Sequence, residues 1–384
     1  MIWPLNKNNF STLDRIKICS FVLGPNNRWT QSKQVIEFEK NISNYVDSKY
    51  AVFVSSGSAA NTLLSLYSMK TEKKIVVLPS TTWQTSCSPW ILNGFTPHFI
   101  DISLEDFSID KNKLLSYVKE NSENIACVFP TSVIGMTPDI DFYKDLEKKY
   151  SVRVMFDNCE NTLGEYEDKN ISSYFTSTTS TYFGHQIQSI EGGFIFTDSE
   201  EEHKFFLMSR NHGMTRSLKP YGYSAEDIEN DQVDSLFDFN ILGGNYRNTD
   251  LNAFIGRLDL KRANFYKKKR IELYKVFKTN LCSRRYYLPE PRENCLDVPF
   301  CLPIICKNKD NLQKVKLLCV DNNIEYRPII SGFLGYQTCY KNFFDYNQDY
   351  SNSIMLNDCG MYIGLYHSIG KDKIIDFVNE INAI

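Results

Sequence analysis

Ser177-Thr-Thr-Ser180-Thr-Tyr-Phe-Gly-His185-Gln-Ile-Gln-Ser-Ile-Glu191-Gly192-Gly193-Phe-Ile-Phe-Thr197 is the stretch from which the rest of this chain can be read. Small hydroxyl side chains open it and predict a strand over Ser177–Tyr182. A turn bearing one basic residue, His185, follows. Glu191-Gly-Gly then leads into an apolar run, Gly193–Thr197, that predicts a second strand. No lysine lies between Lys169 and Lys204. The only side chain in this turn able to carry a proton near neutral pH is therefore an imidazole, with an ordinary pKa of about 6.5.

Further strands are expected at Tyr50–Val54, Lys74–Leu78, Thr96–Asp101, Ile125–Pro130 and Arg153–Asp157. Amphipathic helices are expected at Gln34–Val46, Ser58–Tyr67, Thr82–Leu92, Asp141–Tyr150 and Glu200–Asn211. This alternation predicts a large α/β domain with ligands at the strand ends. From about Thr249 a long helical pattern, Asp250–Asn280, leads into mixed strand and helix. It suggests a smaller C-terminal α+β domain, dividing the chain into residues 1–248 and 249–384.

Three strand ends carry polar residues with two readings each. Gly57 and Ser58, in Val54-Ser-Ser-Gly-Ser-Ala-Ala-Asn61, either cradle a phosphate at a helix N-terminus or form a plain turn with Ser58 as its cap. Trp83 either stacks on a flat ring or packs in the core. Asp157, ending an apolar strand, either pairs with a cation such as a protonated pyridinium nitrogen or caps the next turn.

The 384 residues suffice for two cores, and a net charge of −3 gives no electrostatic ground for a nucleic-acid or membrane partner. Apolar runs are strand-length and the first residues lack a signal-peptide pattern, so a cytoplasmic protein is expected. None of the eleven cysteines forms a C-x-x-C pair, and His185 has no ligand at helical spacing, so no metal site is expected.

The quoted stretch resembles the DegT/DnrJ/EryC1/StrS sugar aminotransferases, in which a Ser/Phe-rich strand is followed by the cofactor lysine and, six positions later, Glu-Gly-Gly. Here the spacing holds but position 185 is His. The resemblance extends through Pro79 to Trp83, Gly94-Phe-Thr-Pro-His-Phe-Ile-Asp101, Asp157-Asn-Cys-Glu160, Arg210-Asn-His-Gly-Met-Thr-Arg216 and Gly244-Asn-Tyr-Arg247. It implies the aspartate aminotransferase-like fold (fold type I) and a pyridoxal or pyridoxamine phosphate cofactor (PLP or PMP).

The histidine is similar to that of a branch removing the C3 hydroxyl from nucleotide-linked 6-deoxy-4-keto sugars. The resemblance thus implies a 3-dehydratase with His185 as acid/base, a GDP-linked hexose or heptose as substrate and L-glutamate as amino donor. It further implies that Gly57, Ser58 and Ser180 hold the cofactor phosphate, that Trp83 stacks on the ring, that Asp157 meets the ring nitrogen and that Glu160 lies near the ring substituents. Asn245 would come from the partner of a homodimer. Asn27, Arg28, Trp29, Thr30, His212, Arg216, Arg247 and Glu325 match substrate-side positions, although the three arginines also suit plain ion pairs. Three alternatives remain. A 4-aminotransferase would need a lysine in the site. An iron–sulfur CDP-sugar dehydrase would need a C-x-C motif that Cys295, Cys301 and Cys306 do not provide. A scaffold would have no need of the retained cofactor contacts.

Overall fold

The computed structural model describes residues 3–25, 28–224, 232–290 and 292–384. Its strands are β1 (Tyr50–Val54), β2 (Ile75–Pro79), β3 (Thr96–Ile100), β4 (Ile125–Val128), β5 (Phe156–Asp157), β6 (Glu165–Tyr166), β7 (Lys169–Asn170), β8 (Ser177–Ser180), β9 (Gly193–Thr197), β10 (Tyr286–Tyr287), β11 (Cys295–Leu296), β12 (Cys301–Cys306), β13 (Tyr326–Pro328) and β14 (Gly360–Gly364). Two ladders, β3-β2-β4 and β5-β8-β9-β1, form the large sheet. Parallel bridges from Val128 to Val154 and from Thr131 to Asp157 join them edge to edge. Within it β9 alone runs antiparallel to its neighbours.

Helices cover this sheet, so its strands are buried on both faces and read as continuous apolar runs. Strand β8 breaks that rule, being Ser-Thr-Thr-Ser and fully buried. Its hydroxyls are satisfied locally: Thr178 Oγ1 donates to Asn61 Oδ1 at 2.6 Å and Ser177 Oγ to the Ser172 carbonyl at 3.3 Å.

Several sequence expectations shift. The helix after β1 is Gly57–Ser68, and its cap is Ser56, whose Oγ accepts from Ala59 N at 3.0 Å. Ser58 is therefore not the cap, and its hydroxyl lies 2.7 Å from Thr85 Oγ1. The segment Arg153–Asp157 is regular only at its last two residues. The helix expected from Thr82 starts at Gln84, with Trp83 in the extended conformation of an N-cap. The long helix Asp250–Asn280 is two, Asp250–Leu260 and Ala263–Asn280. At the break Arg262 turns to pair with Asp14 at 2.7 Å and Asp259 at 3.3 Å. Helices Thr12–Leu23 and Lys111–Asn121 were not anticipated, though Ser11 with Asp14 forms a capping box and Asp110 caps the second.

The C-terminal sheet, β10-β12-β14-β13, is antiparallel and packs on the helices Lys309–Asp321 and Lys371–Asn382. Trp3 belongs to that core: it is fully buried, bridges Ile324 and donates Nε1–H to the Gly364 carbonyl at 2.9 Å. We propose residues 1–248 and 249–384 as the two domains, with the segment around Trp3 strapping the first to the second. Among the described residues no helix is long and apolar enough to cross a membrane.

Candidate active site

A cavity of about 550 Å³ opens where the ends of β1, β2, β5 and β8 face the C-terminal sheet. Eight of the expected residues line it: Gly57, Ser58, Trp83, Asp157, Glu160, Ser180, His185 and Glu325. No lysine does, among the described residues. Another cavity, about 590 Å³ around Lys278, Tyr286, Tyr287 and Lys307, contains none of the candidates.

The cradle is shaped by close approach. A side chain at Gly193 would place its Cβ 2.4 Å from the backbone carbon of Ser56, so the Glu-Gly-Gly stretch needs glycine there. The N–H groups of Gly57 and Ser58 at the start of the helix have no acceptor among the described residues, which is the arrangement an anion completes. A Cβ at Gly57 would meet Cys159 Sγ at 2.7 Å and Ser180 Cβ at 3.1 Å. Gly57→Ala is accordingly expected to destabilise the protein by about 1–3 kcal/mol through overpacking and to weaken phosphate-bearing ligands. Denaturant melts and PLP titration of the same preparation would measure both.

Asp157 is 2 % exposed and accepts three hydrogen bonds, all from neutral donors. Asn61 Nδ2 donates at 2.8 Å, Ser86 Oγ also donates, and Cys159 N donates at 3.0 Å. No cationic side chain is paired with it among the described residues, so a buried negative charge faces the cavity without a counter-ion. Trp83 is 54 % exposed beside it and has no ring partner among the described residues. Anion seat, free aromatic face and unpaired carboxylate thus match the phosphate, ring plane and ring nitrogen of a pyridoxal-type cofactor.

The His185 imidazole lies 2.7 Å, through Nδ1, from the Cys159 carbonyl. A carbonyl only accepts, so Nδ1 carries the hydrogen and Nε2 is left with its lone pair. Burial pulls the pKa down to about 4, opposed by the Cys159 contact and Asp157 and aided by Arg270. The ring is therefore a neutral base at physiological pH. Glu160 goes the other way: burial pushes its carboxyl up to about 7, although Ile134 N donates to Oε2 at 2.7 Å. Because the His185 pKa is depressed in the folded state, the unfolded chain binds the extra proton between pH 6.5 and about 4. The stability of the parent minus that of His185→Asn should fall as pH drops through that window, as read by urea melts at stepped pH.

The other expected residues lie elsewhere. Arg28, Thr30, Arg216 and Arg247 line a separate cleft of about 300 Å³ with Arg210, which is already paired to Glu39. Trp29 packs edge-on against Phe21. Asn245 Oδ1 accepts from Arg247 Nε at 3.0 Å, and His212, with φ of 63°, donates its N–H to the Gly244 carbonyl. Asn27 lies outside the described residues. Asn61 and Ser86, the partners of Asp157, are not among the expected residues, although Asn61 sits one helical turn after Gly57. Arg327, also outside the expected set, joins Glu325 in the cavity two residues along the chain, a strand spacing that places both on one face.

The model of the DegT/DnrJ/EryC1/StrS aminotransferase family matches residues 19–382. The chain belongs to that family. It is 29% identical over 92% of both chains to GDP-4-keto-6-deoxy-D-mannose 3-dehydratase of Yersinia pseudotuberculosis. It superposes on the Escherichia coli GDP-4-keto-6-deoxy-D-mannose 3-dehydratase with bound hydrated PLP with a TM-score of 0.87, at 25% identity, covering 99% of this chain and 98% of that one. A GDP-4-keto-6-deoxymannose-3-dehydratase with a trapped PLP-glutamate geminal diamine matches at 24% identity, the same TM-score and 99% of each chain. Within this family member, the three cysteines weighed for a cluster are dispersed: Cys295, Cys301 and Cys306 sit in three different packing clusters.

Proposed function

We propose that this protein is a PLP/PMP- and glutamate-dependent 3-dehydratase of a GDP-linked 6-deoxy-4-keto sugar. The observation that carries this reading is a lysine-free cavity in which a neutral imidazole offers its free Nε2 beside the unpaired carboxylate of Asp157. Bound there, PMP would supply an amine for the C4 ketone and a conjugated ring to take up electrons. His185 holds and moves the proton at Nε2, with Cys159 fixing the tautomer. Asp157 balances the ring-nitrogen charge. Gly57, Ser58 and Ser180 seat the phosphate, and Trp83 covers the ring. Glu160, its carboxyl pushed up to about 7 by burial, is partly protonated near neutral pH and in that form can donate a hydrogen bond to a ring oxygen. The products are a 3,6-dideoxy-4-keto sugar, ammonia and 2-oxoglutarate.

The arginines gathered with Thr30 away from the cavity support a homodimer in which this cleft and Asn245 serve the neighbouring subunit's site, on the diphosphate side of the substrate. The eleven unpaired cysteines support a reducing, cytoplasmic setting. The test is incubation with PLP, glutamate and a panel of nucleotide-linked 4-keto sugars, following ammonia and product mass. Glutamate-dependent loss of the C3 oxygen with ammonia release is expected, most rapidly on the GDP sugar. Accumulation of a 4-amino sugar would overturn the reading in favour of an aminotransferase, and failure to bind PLP or PMP would favour a scaffold.

A further inference from the structure

Behind the imidazole lies a buried cation that the chemistry above leaves without a task. Arg270, on the helix Ala263–Asn280, is 5 % exposed and forms no ion pair among the described residues. Its Nη1 donates instead to two consecutive carbonyls, Pro299 at 3.1 Å and Phe300 at 2.9 Å. Burial lowers its pKa to about 10, so it remains charged. A buried guanidinium without a carboxylate is costly, and an apolar side chain would pack this helix at less cost.

The segment it grips is fastened on every side. Gln186, the residue after His185, donates to the Val298 carbonyl at 2.6 Å and accepts from Leu163 N at 2.9 Å. The N–H groups of Val298 and Phe300 donate to Gly135 and Ile134. Ile134 in turn donates its own N–H to Glu160. The Phe300 ring lies 5.2 Å from the imidazole of His185.

We propose that Arg270 is a positioning residue for His185: by locking the Pro299–Phe300 backbone it holds the Phe300 ring as a wall that keeps Nε2 facing the cavity. The proposal rests on the acid/base role given to His185 above. Charged and titratable groups around the ring are Asp157 at the end of β5, Cys159 and Glu160 from the loop after it, Tyr182 from the turn before His185, Arg270 from its helix, Cys301 and Tyr362 from the C-terminal sheet, and Glu325 and Arg327 across the cavity. Of these Arg270 favours the neutral imidazole, and Asp157 opposes it.

The experiment is histidine NMR of Arg270→Met and Arg270→Lys in full-length protein, which has five histidines, with the His185 signal assigned through His185→Asn. The parent signal should stay in its neutral position to below pH 5.5. In Arg270→Met it should broaden and titrate at higher pH, with Arg270→Lys intermediate. In turnover, kcat per bound cofactor should fall about tenfold with KM within about twofold, the split expected when a transition-state group is misplaced. An unchanged His185 signal with parental kcat per bound cofactor would overturn the proposal. Should Arg270→Met fail to fold, Phe300→Leu removes the wall with Arg270 in place and must give the same broadening, without the rise in titration that loss of the cation adds. The spectrum is read without turnover, so a fully active His185→Asn would sink the acid/base role while leaving the positional question to the NMR.

Discussion

Replacing His185 by Asn is expected to slow C3 dehydration by roughly a hundred- to ten-thousand-fold, the usual worth of a positioned general acid/base. The substitution is chosen because an amide keeps a donor for the Cys159 carbonyl, which now receives Nδ1–H. The turn can therefore keep its fold while Nε2 is lost. Binding of the sugar nucleotide should stay near the parental value, since no charge is removed from a ring already held neutral. Single-turnover ammonia release and calorimetric titration would separate the two effects. Parental release in the variant would refute the assignment. In the companion change, His185→Lys, the amine should tether the coenzyme covalently and suppress dehydration. Coenzyme that survives gel filtration only in the lysine form would display that switch.

Asp157→Asn is expected to weaken cofactor binding by roughly 10- to 150-fold, since a hydrogen bond to a charged group contributes about 1.5–3 kcal/mol. The carboxylate is buried among Asn61, Ser86 and Cys159, all neutral donors, so its charge is balanced only when a cation arrives from the cavity. An amide in its place removes that attraction and turns an NH₂ group towards donors. Equilibrium dialysis with PLP measures the loss, and melting of the cofactor-free protein serves as control. A lower melting point with unchanged affinity would assign the carboxylate to the fold alone.

Much of this site could be read from the chain because its pieces are local. The Ser-Ser-Gly-Ser turn, Trp83, Asp157-Asn-Cys-Glu160 and the His185 turn each sit at the end of a short buried strand, where apolar runs and small residues mark position. The limits of that reading are equally physical. Ser56 and Ser58 are alike in composition, and only the backbone shows that Ser56 takes the cap. The pattern across Asp250–Asn280 stays helical through Arg262, because the break is set by partners far away in sequence, Asp14 and Gln188. Arg270 gave no signal at all: on a helix rich in lysine and arginine it reads as one more solvated charge, yet it points inward.

The place of β9 also has a consequence for how the molecule is made. Strand β1 leaves the ribosome early, but the partner beside it, β9, is synthesised long afterwards, and Trp3 must wait for Ile324 and Gly364. Nascent chains therefore carry an apolar edge with nothing to pair with while more than a third of the 384 residues are added, a situation that favours slow, aggregation-prone assembly and reliance on chaperones. Removing the helix Lys371–Asn382, whose Phe377 ring packs 5.6 Å from Trp3, should reduce soluble yield although it touches no residue of the cavity.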